Sequence, residues 1–367
     1  MKDTISRYLL AAVVFLATQA PVTAASQIST AADNLLKGTN YMTGCNTEYY
    51  YGNQYSDLNP DINLLQRDGI HWARVELPVD QDYSQIQPYL QSAQRAKIHT
   101  LLNILCSNYS PSNEESRTSY KTWLKKTVEG LGNQVMYYEI CDEENLSQQS
   151  EGGGPYGWAG LPEGNLPYGL GPCPNGPTKN YTMKVQDYVA LLQDSYGTIK
   201  RVNPNITVII GGLSSWHCSC YLKTLTMLKA YNYADAIAFH PYDNNPQMAS
   251  NDVTDPLQKT VNSWPRRLPI WITEFGYQTT SPNYGSYVPG STLEAREEKK
   301  GQWIAETYEL MRERNQISSP IFLYTARDIN YSQPGYVQCG IFERDGKLQL
   351  LPSYWAYQHP LVGAKSP

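Results

Sequence analysis

Phenylalanine is scarce in this chain of 367 residues: 5 Phe stand against 30 Tyr and 8 Trp. Most aromatic area therefore carries a polar edge that needs a partner or water. Histidine is scarce too, with 5 in all. Metal-dependent hydrolysis in a barrel needs His ligands clustered at several strand tips, and only His240 stands at one, so no metal is expected. After the N-terminal stretch no run is long and apolar enough to span a membrane. No block of Lys and Arg marks a nucleic-acid surface, and the net charge is −5. No Gly-x-Gly-x-x-Gly follows the first candidate strand, which argues against a dinucleotide site, and no cofactor is expected. Neither an internal repeat nor a linker divides the chain.

The 41% hydrophobic content suffices for one large core. Residues 1–25 read as a secretory leader: Lys2 and Arg7 are followed by a short apolar stretch and small residues before Ala24 and Ala25. The leader implies a secreted or periplasmic protein. All seven Cys follow it, so disulfides are expected, with at least one thiol left over. Cys141, inside an apolar run, is the expected free one. Cys173 could bridge to the loop holding Cys218 and Cys220, and Cys218, Cys220 and His217 make only a weak metal corner.

Residues 26–367 alternate short apolar runs with amphipathic stretches. Strands are expected at 37–42, 71–77, 98–105, 135–141, 206–212, 236–242, 268–274 and 319–325. Helices are expected between them, and a last one at 353–361. Eight alternations predict one α/β domain, a (β/α)8 TIM barrel with long βα loops. An open doubly wound sheet is the alternative. The loops at 147–182 and 277–292 are long; the first is rich in Gly and Pro and holds Trp158, a candidate wall of the cleft.

Two apolar runs end in acid. Val135–Asn145 (VMYYEICDEEN) brings Glu139, Asp142, Glu143 and Glu144 to one strand tip, and Leu268–Tyr277 (LPIWITEFGY) ends at Glu274. In a barrel the loops at the strands' C-terminal ends build the active site. Two carboxyls facing each other across such a site suit glycoside hydrolysis, in which one protonates the leaving oxygen and the other attacks the sugar carbon. Tyr and Trp suit sugar faces as well.

The stretch Tyr138–Asn145 (YEICDEEN) resembles the Trp-Glu-Ile-Trp-Asn-Glu-Pro-Asn motif on strand four of glycoside hydrolase clan A. Ile270–Gly276 (IWITEFG) is similar to the clan's strand-seven motif. FHPY at 239–242, ARV at 73–75 and IIGG at 209–212 match strands six, two and five. The resemblance spans most of the chain after the leader and points to β-xylosidase-like or cellulase-like families. It implies a carbohydrate substrate, with Glu143 as general acid/base and Glu274 as nucleophile of a retaining enzyme. It implies that Arg74 holds Glu274 ionised, or else pairs with Glu139 inside the barrel. It gives Tyr242 a hydrogen bond to the nucleophile, His240 a contact with sugar or carboxylate, and Tyr324 the floor of the site. Trp72 and Trp271 read as barrel packing.

The chain departs from that motif at Asp142, where the family has an Asn that donates to the sugar 2-hydroxyl. An ionised Asp cannot donate. The run of three acids is expected to raise the pKa of Glu143. Strict alternation points residues 142 and 143 to opposite faces, so both reach the site only if the tip bulges. The expected activity is cleavage of a polysaccharide or oligosaccharide, endo-acting because the loops are long, by a monomer. The alternative is an inactive barrel that binds carbohydrate.

Overall fold

Most strands are short, carry β-branched or aromatic residues and are buried along nearly their whole length, the pattern of a sheet covered on both faces. Buried strands of that kind must be parallel and joined through helices. The computed structural model describes residues 43–47, 59–67, 70–106, 113–145, 185–215, 218–243, 245–277, 292–315, 317 and 319–326. Its eight strands are β1 Thr43–Asn46, β2 Trp72–Pro78, β3 His99–Leu105, β4 Tyr137–Asp142, β5 Thr207–Ser214, β6 Ala236–His240, β7 Ile270–Phe275 and β8 Ile321–Leu323. They form one closed parallel barrel in chain order, with β8 pairing back onto β1 through Thr43 and Ile321. The (β/α)8 barrel is thus as expected, and the open-sheet alternative falls.

Helices cover the outside. Helix α1 is Asn59–Arg67, α2 Gln87–Arg95, α3 Glu114–Leu131 and α4 Val185–Val202. Helix α3 starts where Asn113 and Ser116 cap each other reciprocally. It is tied to α4 by the two-pronged ion pair of Arg117 with Asp194, at 2.7 and 3.0 Å. The first strand lies later than expected: β1 is TGCN, too short and polar to stand out as an apolar run. The stretch 37–42, the leader, Trp158 and the closing helix at 353–361 lie outside the described residues.

The barrel interior is layered. At the strands' N-terminal ends Trp72, Leu101, Ile209, Ala236, Ala238, Trp271 and Phe322 form an apolar plug. Trp72 and Trp271 meet edge to face at 5.6 Å, which makes both packing residues as expected. A Cβ on Gly44 would lie 2.5 Å from the Phe322 ring, so β1 needs glycine there. Above the plug the interior turns polar, with Asn46, Arg74, Asn103, Glu139, Thr273 and Thr325 all buried.

Two register irregularities sit at the polar end. One lies in β5 between Ile210 and Leu213, and the other in β7 between Ile272 and Phe275. Each inserts one residue relative to its neighbour, so consecutive side chains can face the same way. In β7 this lets Thr273 and Glu274 both reach the interior.

Candidate active site

Arg74 is the hub. Fully buried on β2, it donates from Nε to Glu139 at 2.6 Å and from Nη1 to Glu274 at 2.8 Å and Asn46 at 2.9 Å. From Nη2 it donates to Asp142 at 2.6 Å. Arg74 thus contacts both carboxyls that the sequence offered it, Glu139 and Glu274. Burial opposes the guanidinium charge, but the facing carboxylates raise its pKa well above the ordinary value. Glu139 also accepts from the Gly212 amide at 2.9 Å and the Thr273 hydroxyl at 2.8 Å. Three donors on one carboxyl fix Glu139 in place as part of the scaffold.

Glu274 is held twice, by Arg74 on Oε1 and by the Tyr242 hydroxyl on Oε2 at 2.8 Å. The expected Tyr242 contact is therefore present. Tyr324, at the end of β8, lies edge to face with Tyr242 at 6.4 Å.

His240 bridges the two halves. Its Nε2 lies 3.0 Å from the Thr273 hydroxyl and its Nδ1 3.1 Å from Glu143 Oε1. Thr273 gives its one hydroxyl proton to Glu139, so it must accept from His240 Nε2. One further proton then lies between Nδ1 and Glu143, held either by the acid or by the imidazole. Burial works against a charged His240, yet Glu274, Glu143 and Asp142 raise its pKa to about 9. Burial is also the main cause that raises Glu143, with His240 acting against it. Glu274 across the barrel adds to the rise, and the repulsion within the acid run shows as Glu143 raising both Asp142 and Glu144.

The strand tip does break its pleat. Cys141 and Glu143 take left-handed backbone angles, with φ of 64° and 50°. Asp142 therefore turns to Arg74 while Glu143 turns to His240. Glu144 turns away from both. It is buried, neither carboxyl oxygen has a donor from another of the described residues, only its own backbone N–H favours the charged form, and Oε1 would touch a Cβ placed on Gly211 at 2.5 Å. Burial raises its pKa well above the ordinary value.

Cys141, expected as the leftover thiol, is bridged to Cys106 at the end of β3, with Cα atoms 5.0 Å apart. Adjacent parallel strands ending at the same height put the two within reach. Among the described residues the buried thiol is Cys45. Cys173 and Cys339 lie outside the described residues, as do the side chains of Cys218 and Cys220. Asn145, which begins a possible glycosylation sequon, is buried and exchanges two hydrogen bonds with Ser214, so its amide is not open to a glycan.

Sequence reasoning passed over two members of the site, Asn46 and Glu76. Asn46 anchors Arg74 and donates to the Thr273 and Leu323 carbonyls. Glu76 follows Arg74 by two residues on β2, and that spacing places both on the inner face. Burial raises its pKa to about 7, opposed by Arg74 and assisted by Glu274 and Glu139. Glu139 with Asp142 and His240, and Glu143 with His240 and Glu274, are close enough to share a metal ion. In each set Arg74 already binds a carboxylate, so a cation would stand beside a guanidinium.

One carboxylate oxygen of Glu143 and one of Glu274 lie within 4.8 Å of each other. The arrangement can donate a proton on one side of a bond and present a bound anion on the other.

Residues 183–351 match a family model described as glycosyl hydrolase catalytic core, a span that includes His240, Tyr242 and Glu274. No curated protein matches the chain in sequence. The fold is similar to a family 39 glycoside hydrolase from Bacteroides cellulosilyticus WH2, with TM-score 0.61 and 17% identity, over 88% of this chain and 64% of that one. The chain thus spans less than two thirds of that protein. It is also similar to the endo-1,4-beta-xylanase XylE of Penicillium canescens, with TM-score 0.61 and 10% identity, over 90% of this chain and 97% of that one. A glucosidase from Croceicoccus marinus aligns with TM-score 0.58 and 11% identity, over 87% and 67%. The catalytic-core match and the closed barrel bear out the resemblance to glycoside hydrolase clan A.

Proposed function

We propose that the chain is a retaining β-glycosidase that works by double displacement on a polysaccharide or oligosaccharide. The observation that supports this is the closeness of Glu143 and Glu274, whose facing oxygens lie within 4.8 Å, a nearest-atom distance that runs shorter than the separation of the two carboxyl groups. Retention needs carboxyls about 5–5.5 Å apart, whereas inversion needs about 6.5–9.5 Å to admit a water. Glu274 attacks the anomeric carbon, aligned by its hydrogen bonds from Arg74 and Tyr242. Glu143 gives its proton to the leaving oxygen. The glycosyl ester on Glu274 then yields to a water from which Glu143 removes a proton. His240 lies within hydrogen-bond reach of Glu143 throughout and can share that proton. Burial keeps Glu143 protonated above the ordinary carboxyl range, as an acid needs.

The leader and the Cys106–Cys141 bridge support export to an oxidising compartment. The long loops favour endo action, Tyr324 and Trp158 are offered as sugar contacts, and the enzyme acts as a monomer. The test is product release from β-glucans, xylans, mannans and aryl glycosides over a range of pH. Cleavage of one class is expected, with Glu143→Ala slowing it about 10²- to 10⁴-fold and Glu274→Ala comparably. A protein that binds such a polymer without cleaving it would be the carbohydrate-binding barrel instead.

A further inference from the structure

Of the three carboxyls that Arg74 holds, Asp142 has the fewest hydrogen bonds. Glu139 has three donors and Glu274 two. Asp142 has one hydrogen bond, from Arg74 to Oδ1, and its next cationic neighbour, His240 Nε2, is 3.9 Å away. Among the described residues no hydrogen bond reaches Oδ2, and the side chain keeps 18% of its surface open. Among the described residues five carboxyls gather here, from Glu76, Glu139, Asp142, Glu143 and Glu274, against two cations, Arg74 and His240. A neutral sugar would cover this excess acid without balancing it.

Position says what Asp142 faces. Arg74 holds Asp142 and Glu274 on its two neighbouring Nη atoms, so the carboxylates stand side by side. Tyr242 occupies the other oxygen of Glu274. When Glu274 attacks the anomeric carbon, the two atoms bonded to that carbon lie on either side of the attacking oxygen. One is the ring oxygen, which has no proton to give. The other is C2, which carries the substituent. An open acceptor such as Asp142 Oδ2 suits a donor on C2.

We propose that Asp142 selects a sugar with a free amine at C2, a 2-amino-2-deoxy-β-glycoside, over its 2-hydroxy counterpart. This rests on the glycosidase reading. The ammonium offers three N–H donors and the positive charge the site lacks, whereas a hydroxyl offers one donor and no charge. An acetamide is neutral and adds an acyl group beside Arg74, so it is disfavoured as well. Burial and the neighbouring acids raise the pKa of Asp142. An ammonium at Oδ2 supplies the missing counter-charge, so its binding should release a proton.

The experiment is a set of β-linked oligosaccharides identical except at C2, which bears a hydroxyl, a free amine or an acetamide. Wild type is expected to favour the amine by about tenfold or more in kcat/KM, the scale of one charge-assisted hydrogen bond. Asp142→Asn, nearly isosteric, should bring the amine and hydroxyl substrates level or reverse them. If wild type cleaves the hydroxyl series best and Asp142→Asn leaves the ratio alone, the inference falls and the glycosidase reading stands. If none of the three is cleaved or bound while a folded protein is verified, both fall. The comparison among substrates on wild type needs no variant, so an Asp142→Asn that misfolds does not rescue the idea.

Discussion

His240 Nε2 gives its proton to Thr273 because Thr273 gives its own to Glu139, and this one chain of donors leaves the acid's proton between Nδ1 and Glu143. The hydrogen bond and charge of His240 both lower the Glu143 pKa against the larger effect of burial. In His240→Gln the cation is lost, and Glu143 holds its proton to higher pH. The alkaline limb of kcat/KM should therefore move up while kcat falls. A limb that stays in place would mean another group sets it. Glu144 makes a second case at this scale. Among the described residues no cation or other residue's donor meets its buried carboxyl, and its folded pKa lies well above the unfolded one. Below the unfolded value both states are protonated and nothing is lost. As pH rises from there toward the folded value, stability falls by about 1.4 kcal/mol per unit. Glu144→Gln removes that slope, so the variant should gain in Tm over wild type near neutrality and lose the gain in acid. Equal melting curves at both pH values would show that Glu144 ionises freely.

At the level of elements the tip of β4 decides whether Asp142 and Glu143 both arrive. Left-handed backbone at a non-glycine residue costs about 1–2 kcal/mol, and here it occurs at Cys141 and Glu143. The tip is held by the bridge to Cys106, by Asn103 donating to the Cys141 carbonyl at 2.8 Å, and by the Glu143 amide on Gly212. Reduction, or the pair Cys106→Ala and Cys141→Ala, should cost about 2–4 kcal/mol of stability and lower kcat, because the acid follows the bridge by two residues. Full activity with both thiols shown free by titration would overturn this. Much of the site was legible in the sequence because the acids end apolar runs: Glu143, Glu274, Arg74, His240 and Tyr242 all converge. The bridge was not read, although Cys106 and Cys141 close neighbouring strands at one height, because an apolar setting made Cys141 look inert. Strand β1 was not read either, since TGCN owes its place to pairing with β2 and β8 rather than to its own pattern. Bulges likewise belong to pairs of strands, so the inward turn of both Thr273 and Glu274 could not be seen in β7 alone.

The whole molecule separates stability from chemistry along the barrel axis. The apolar plug closes the N-terminal end, and the acids and Arg74 fill the other. Trp72 sits at the centre of the plug against Tyr137, Trp271 and Phe322, and its indole N–H is buried without an acceptor. Trp72→Ala opens a cavity and should cost about 3–5 kcal/mol. Trp72→Phe keeps most of the ring and removes the orphan donor, so it should cost much less, since an unmade buried hydrogen bond carries a penalty of about 1–3 kcal/mol. Both should keep kcat/KM near wild type at temperatures where the fold is intact, because among the described residues no hydrogen bond or ion pair joins the Trp72 side chain to a group of the site. Arg74→Met reverses the pattern. It strands Glu139, Asp142 and Glu274 without their common cation and should depress activity even where the protein remains folded. Thermal melts run beside kinetics on the three variants test the division. A fall in kcat/KM for folded Trp72→Phe would show that the two ends are coupled, and the axis would then carry strain from plug to site.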